Sequence, residues 1–333
     1  MIRNMTTAFV LALALVVVPD TSGAQQREKP ARIGLLRTSE PPAVNLAAFH
    51  KGMRDRGHIE GKTYVLVPGW GRPGRKKEKA TVLAKKLIAR GVDVIVTVGT
   101  RATRAASRAA PTTPIVMASA AAPVKAGLVN SFAAPGGNIT GMSAAAVEGA
   151  VKGMEILKQM VPGIRRIGAF HRRRKSAKQV RYPYFKAGDE KAAKALNVEI
   201  VAYAVTKKDD FDEVFRRVTD AGVDAISVRS TSSFTTAQRK RLVQAALRAK
   251  LPNAHGSTAM VKLGGLFSIG PNRADLYRRA AAFVDLILKG AEPADLPVQR
   301  PSRYYLTVNL KTAKALGVNI PRAILLRATE VIE

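Results

Sequence analysis

The sequence contains no cysteine. That absence removes thiolate nucleophiles, cysteine-ligated zinc, iron–sulfur clusters and lipid attachment to an amino-terminal cysteine. Histidine is scarce as well: four residues, at 50, 58, 171 and 255, none at a spacing that would bring two onto one metal ion. There is no Gly-x-Ser-x-Gly elbow, and no pair of carboxylates falls at the ends of predicted strands. The chain is therefore expected not to be an enzyme and to need no metal or cofactor. Carboxylates are few altogether. Asp and Glu number 24 against 55 Lys and Arg, a formal net charge of +31. Such a balance raises the prospect of polyanion contact. The basic residues are scattered over helix faces, however, as at Lys85, Lys86, Arg216, Arg217, Arg278 and Arg279. Only His171-Arg172-Arg173-Arg174-Lys175 forms a dense run, and no nucleic-acid partner is expected.

Long apolar runs are missing beyond the first two dozen residues. Within them, Arg3 is followed by an unbroken apolar stretch from Ala8 to Val18, then by Pro19 and the small residues Ser22-Gly23-Ala24. This is the layout of a secretory signal peptide over residues 1–24, with cleavage after Ala24. The stretch is shorter than the about 20 residues that a membrane-spanning helix needs, so an uncleaved anchor is the weaker alternative. The mature chain is expected in the periplasm.

From residue 31 onward, β-type runs alternate with helical ones. Strands are predicted at Ala31 to Leu36, Thr63 to Val67, Val92 to Val98 and Ile115 to Ala118, with helices at Val44 to Arg56, Lys77 to Arg90 and Arg101 to Ala109. The second half repeats the scheme. Its strands are predicted at Arg166 to Phe170, Glu199 to Ala204 and Asp224 to Val228. Its helices are predicted at Ala145 to Val161, Tyr184 to Leu196, Asp210 to Ala221 and Thr236 to Arg248. The alternation implies an α/β fold of doubly wound parallel sheets. One echo marks it as two lobes: Gly91-Val92-Asp93-Val94-Ile95 returns as Gly222-Val223-Asp224-Ala225-Ile226, each copy ending a helix and opening a buried strand. Ligands of open α/β sheets sit beyond the carboxyl ends of the strands, so two facing lobes would hold a solute between them.

Several segments are more specific. Pro135-Gly136-Gly137-Asn138-Ile139-Thr140-Gly141 reads as a strap leaving the first lobe. Phe49 to Lys62, Ser268-Ile269-Gly270-Pro271-Asn272 with Leu276 to Ala281, Lys289 to Val298, and Asn309 to Gly317 complete the set. Together these resemble the ABC-transporter substrate-binding proteins of the tryptophan/tyrosine type, over nearly the whole mature chain. The resemblance implies a type I periplasmic-binding-protein-like fold, two α/β lobes joined by three crossovers and a hinge. It also implies a small-molecule solute, membrane permease subunits as partners, and a monomer. The first lobe is assigned to 25–140 plus 270–300 and the second to 141–269 plus 301–333, with Gly141 and Gly270 as hinge positions. Rival readings are a basic envelope protein that binds anionic surfaces, and a degenerate binding protein without a transport role. A repressor sensor domain would need an amino-terminal helix-turn-helix in place of the signal peptide.

The resemblance also directs attention to strand-end loops. Gly99-Thr100 precedes a helix whose amino end offers N–H groups to a carboxylate, and Ser119-Ala120 and Ser143 stand at the next loops. The family's Gly-Asp-Pro-Val is Ala121-Ala122-Pro123-Val124 here, so an acid is lost. In the second lobe His171, Arg172, Thr231, His255 and Ser268 are the candidates, His171 standing where relatives carry an Asn and His255 where they carry a Tyr. Fewer acids and more His and Arg point to a solute more anionic than a zwitterionic amino acid. Gly69-Trp70-Gly71-Arg72-Pro73-Gly74 fits the spacing of a dinucleotide fingerprint, but its prolines and its place after the second strand speak for a cleft-edge loop.

Overall fold

Aliphatic β-branched runs too short for helices, each closed by glycine or a polar turn, set the strands of this chain. A computed structural model describes residues 29–71, 78–172, 183–206, 209–228 and 236–333, without the side chains of 172, 183 and 184. The proposed signal peptide lies outside the described residues. Among them, no helix is long and apolar enough to cross a membrane.

The first half runs β1 (Ala31–Leu36), α1 (Ala43–Arg54), β2 (Tyr64–Gly69), α2 (Ala80–Ile88), β3 (Val94–Val98), α3 (Thr100–Ala109), β4 (Ile115–Ala120) and β5 (Ile139–Ser143). These strands form one parallel sheet in the order β2-β1-β3-β4-β5. The chain then makes α4 (Ala146–Met160), β6 (Arg166–Arg172), α5 (Pro183–Leu196), β7 (Glu199–Val205), α6 (Phe211–Asp220), β8 (Ala225–Val228), α7 (Thr236–Arg248), β9 (Asn253–His255), α8 (Thr258–Val261) and β10 (Phe267–Gly270). It ends with α9 (Arg273–Leu288), a 3-10 turn at Pro293–Asp295, β11 (Tyr305–Asn309), α10 (Leu310–Leu316), α11 (Arg322–Arg327) and β12 (Glu330–Ile332). The second sheet is β12-β11-β10-β9-β8-β6-β7, parallel from β7 to β10, with β11 antiparallel to β10.

Both sheets are buried on two faces, as their near-continuous apolar strands require. In the first lobe, Phe49, Met53, Leu276, Ala280 and Val284 pack on one face, and Leu83, Leu87, Ala102 and Ala106 on the other. In the second, Met154, Leu157 and Ala192 cover one face, and Val214, Phe215, Leu242 and Val243 the other. Helix α9 comes late in the chain yet belongs to the first lobe, where it packs along α1. Gly52 makes that crossing possible, because a Cβ there would run into the Arg278 carbonyl and lie 2.8 Å from the Ala281 methyl. The chain thus passes between lobes three times: after β5, after β10 into α9, and after residue 299 into β11. The third pass lies against the first, with Gln299 N–H donating to Gly141 O at 2.9 Å and Ser143 N–H donating to Gln299 O at 2.8 Å.

Gly91 and Gly222, the glycines of the repeated pentapeptide, both take left-handed φ, at +62° and +66°, as helix stops of that kind require. Several predicted boundaries move, three of them as follows. The second helix starts at Ala80 rather than Lys77. Strand β2 runs through Pro68 to Gly69, tolerable because β2 is an edge strand and needs no ladder N–H there. Strand β4 extends to Ala120, so Ser119 and Ala120 lie within it rather than after it.

Candidate functional site

A doubly wound sheet has one place where helices leave neighbouring strands toward opposite faces, and a crevice opens at the carboxyl ends there. In the first lobe this point lies between β1 and β3. The residues just beyond it are Arg37, after β1, and Gly99 with Thr100, after β3. In the second lobe it lies between β6 and β8, where β6 ends on His171 and Arg172. Helix α7, which follows β8, starts from the same end of that sheet.

Three arginines stand around this region. Arg37 is half-buried on the β1 exit. Arg273 opens α9, and Tyr277 follows one turn later on the same face. Arg239 sits in the first turn and a half of α7, from the other lobe. Crowding by surrounding protein lowers the pKa of Arg273, and Arg37 and Arg239 push the same way, with Tyr277 opposing. Arg273 is nonetheless open to solvent, as a side chain standing in a cleft would be. Burial lowers the pKa of Arg239 too, and Arg37 adds to it. First-lobe and second-lobe arginines therefore feel one another's charge.

The Tyr277 hydroxyl is buried, and burial raises its pKa against the pull of Arg37 and Arg273. Arg37 approaches the phenol, but the contact falls outside hydrogen-bond geometry. The Tyr277 hydroxyl and Arg37 Nη1 are both buried without a hydrogen-bond partner. The nearest carboxylates along the chain are turned elsewhere. Asp275 pairs with Arg278 at 2.8 Å, and Glu40 lines a separate cavity of about 440 Å³ with Pro41, Pro42, Ala43, Leu46 and Trp70. That cavity opens beside the β1 and β2 exits and supplies an apolar wall; Arg37 N–H donates to Gly69 O, next to Trp70, at 3.1 Å. Another cavity, of about 270 Å³, is lined by Arg165, Arg166, Glu199, Gly222 and Asp224. It lies at the opposite, amino ends of the second sheet, where Arg166 already pairs with Glu199 at 2.7 Å. It is a structural seam.

The residues singled out from the sequence meet different fates. Thr100 is half-buried at the switch point, and its hydroxyl accepts from Ala121 N–H at 3.2 Å. Ser119 and Ala120 are buried within β4; the Ser119 carbonyl accepts from Gly99 N–H at 2.6 Å. Ser143 is buried, and its hydroxyl accepts from Ala145 N–H at 3.0 Å, bracing the first strap. His171 is buried at the end of β6, with Nδ1 3.3 Å from Ala169 O. The backbone of Arg172 continues β6, its side chain lying outside the described residues, as do Arg173 to Lys175 and Thr231. His255 turns inward: Nε2 meets Asn253 Oδ1 at 2.8 Å, and burial lowers its pKa to about 3. Ser268 is buried in β10 between His255 and Thr307. Among the described residues no cluster of His, Asp and Glu could hold a metal ion. The structure thus places Thr100 at the switch point of one lobe and His171 at that of the other, and leaves Ser119, His255 and Ser268 inside the lobes.

Sequence reasoning passed over Arg37, Arg239, Arg273 and Tyr277. Two signals were available. Arg37 directly follows the apolar run of β1, and Arg273 and Tyr277 are spaced i,i+4 just past the return strap.

Comparison with known proteins fits this architecture. Residues 43–332 match the family model of ABC transporter substrate binding proteins. A tyrosine-binding protein from Clostridioides difficile (strain R20291) is 23% identical over 294 residues, covering 87% of this chain and 82% of the relative. Among solved structures, an ABC domain in complex with L-Trp from Streptococcus pneumonia is 28% identical with a TM-score of 0.75, covering 91% of this chain and 100% of that one. A conserved domain protein from Vibrio cholerae is 25% identical with a TM-score of 0.76 over the same shares.

Proposed function

The chain belongs to the ABC transporter substrate-binding protein family, and from that premise we propose that it is the exported solute receptor of an ABC importer. The family is one of transporter substrate-binding proteins rather than enzymes. In this reading a signal peptide over residues 1–24 sends the chain to the periplasm. A small solute enters between the lobes, bridges them and shifts the population from open to closed. The closed monomer is then the form that the membrane permease subunits take up. The hinge lies in the straps at Gly141 and Gly270. The first lobe comprises 25–140 with 270–300 and the second 141–269 with 301–333, and the pairing of β5 through Ser143 favours moving the first boundary beyond that residue.

The observation that carries this reading is the pairing of two switch points, with Arg37 and Arg273 placed at the first and Arg239, near the start of α7, at the second. The relatives named above bind tyrosine or carry L-Trp, so an amino-acid-like solute is one candidate. Ala122 in place of the family's acid, and the basic strand-end residues, favour a more anionic molecule.

Differential scanning fluorimetry of the purified protein against amino acids, small carboxylates and phosphate esters tests the function. One class should raise the melting temperature in proportion to ligand concentration, as mass action requires. Mass spectrometry of the denatured protein should release a co-purifying solute. If no compound stabilises the protein and none is released, the receptor reading fails.

A further inference from the structure

We propose that Arg37, Arg273 and Tyr277 of the first lobe and Arg239 of the second form a binding site for a compact, doubly charged oxyanion, such as a dicarboxylate or phosphate monoester head. This rests on the receptor reading and specifies its solute.

The first support is unsatisfied chemistry. Arg37 Nη1 and the Tyr277 hydroxyl are both buried, and neither meets a hydrogen-bond partner. A buried polar atom left so costs free energy. Two such donors side by side, one of them cationic, are what an incoming oxygen atom would satisfy. The second support is charge. Neither Arg37 nor Arg273 pairs with a carboxylate among the described residues, and Asp275, two positions after Arg273, is taken by Arg278. Like charges held close to one another raise each other's cost, and a guanidinium fork matches carboxylate and phosphate oxygens bidentately. The third is placement. Arg37 marks the switch point of the first sheet, Arg273 and Tyr277 lie one turn apart at the amino end of α9, and Arg239 lies near the amino end of α7, so both helix dipoles favour negative charge here.

This arrangement also makes the solute a lobe-closing element. Without it, Arg239 repels Arg37 and Arg273 and opposes closure. A dianion between them turns that repulsion into two attractions, so affinity depends on contacts made in the closed form. A monoanion neutralises less of the cluster and should bind more weakly.

The test is isothermal titration of the full chain with succinate, inorganic phosphate, acetate and L-tyrosine, at a salt concentration high enough to screen the diffuse net charge. Succinate or phosphate should bind with one-to-one stoichiometry, and whichever binds identifies the head group; acetate should bind at least about tenfold more weakly. Arg273→Gln should weaken the dianion at least about tenfold while raising the melting temperature of the empty protein, since it relieves repulsion. Arg322→Gln, an equal charge change on the exposed start of α11, should alter neither. Equal losses in both variants would reassign the binding to diffuse surface charge and overturn the site. Tight L-tyrosine binding that is unaffected by Arg273→Gln would also overturn it, with the receptor function left standing. If neither succinate nor phosphate binds while another solute co-purifies, the anion site falls and the receptor again survives.

Discussion

The two lobes agree at the amino edges of their sheets and part company at the carboxyl ends. Arg32-Ile33-Gly34 in β1 has its counterpart in Arg166-Ile167-Gly168 in β6. In each lobe the pentapeptide Asp braces that strand. Asp93 Oδ2 accepts from Arg32 N–H at 2.7 Å, and Asp224 Oδ2 accepts from Arg165 and Arg166 N–H at 2.7 and 2.8 Å. Asp93 N–H donates back to Arg32 O at 2.8 Å, and Asp224 N–H to Arg166 O at 2.9 Å. One strand further on, Ile95 N–H meets Pro114 O, and Ile226 N–H meets Pro252 O, both at 2.9 Å. Counting along from these anchors, Arg37 stands opposite His171, and Met117 opposite His255. The frame is therefore duplicated where strand starts must be tied together. The residues that face a solute, or that fill one lobe alone, differ. The teaching is that closure of the backbone constrains one end of such a sheet, while the other is left to specialise.

The straps offer the largest test of that asymmetry. Gly141 combines φ of +114° with a Cβ direction that points into the Met117 backbone, 2.6 Å from its nitrogen. Alanine there would need both a rare conformation and displacement of β4, so Gly141→Ala should cost about 4 kcal/mol or more. Gly270, on the return strap, has no such φ, and its Cβ would stand 2.9 Å from Gly256 O. Gly270→Ala should cost about 1–3 kcal/mol, in the range of overpacking. Urea unfolding of both variants decides this, and equal midpoints would show that the two straps are under the same constraint.

Much of the frame could be read from residue order. The strand Ala31–Leu36 and the helix Thr236–Arg248 stand where periodicity and hydroxyl-rich starts put them, and the repeated pentapeptide announced both left-handed helix stops. The site was less legible because its residues come from four distant segments. Arg37, Arg239, Arg273 and Tyr277 carry no shared motif, and only folding α9 back onto α1 brings Arg273 near Arg37. Histidine was misleading for a related reason. A His at a strand end reads as a ligand contact, but β9 is only three residues long, so His255 is still inside the sheet, held by Asn253.

That inward histidine gives the second lobe a pH dependence with no counterpart at the matching strand of the first, where β4 carries Met117. The folded pKa of His255 is about 3, below the ordinary 6.5, because burial penalises the cation. As pH falls below about 6.5 the unfolded chain takes up the proton and the native protein does not. His255 therefore costs nothing above that value and drains stability between about 6.5 and 3, with a slope of up to about 1.4 kcal/mol per pH unit. Urea midpoints of the wild type and His255→Met, measured from pH 7.5 to 4.5, should diverge as pH falls, with the wild type losing more. Parallel curves would mean that the ring is protonated in the native lobe.

The smallest effect is the sharpest check of the duplicated frame, because it is expected to be the same twice. Gly91 and Gly222 close their helices at nearly equal φ. A Cβ at Gly91 meets nothing within 4 Å, and at Gly222 it meets only the end of Arg166, at 3.7 Å. Alanine in either place therefore pays the left-handed backbone cost with no added clash, roughly 1–2 kcal/mol. The two variants should shift the urea midpoint alike, and since the glycines sit in different lobes without a common neighbour, the double variant should show the sum within about 0.5 kcal/mol. Unequal costs would place hidden strain in one copy of the turn, and the amino edges would then be alike in sequence but not in energy.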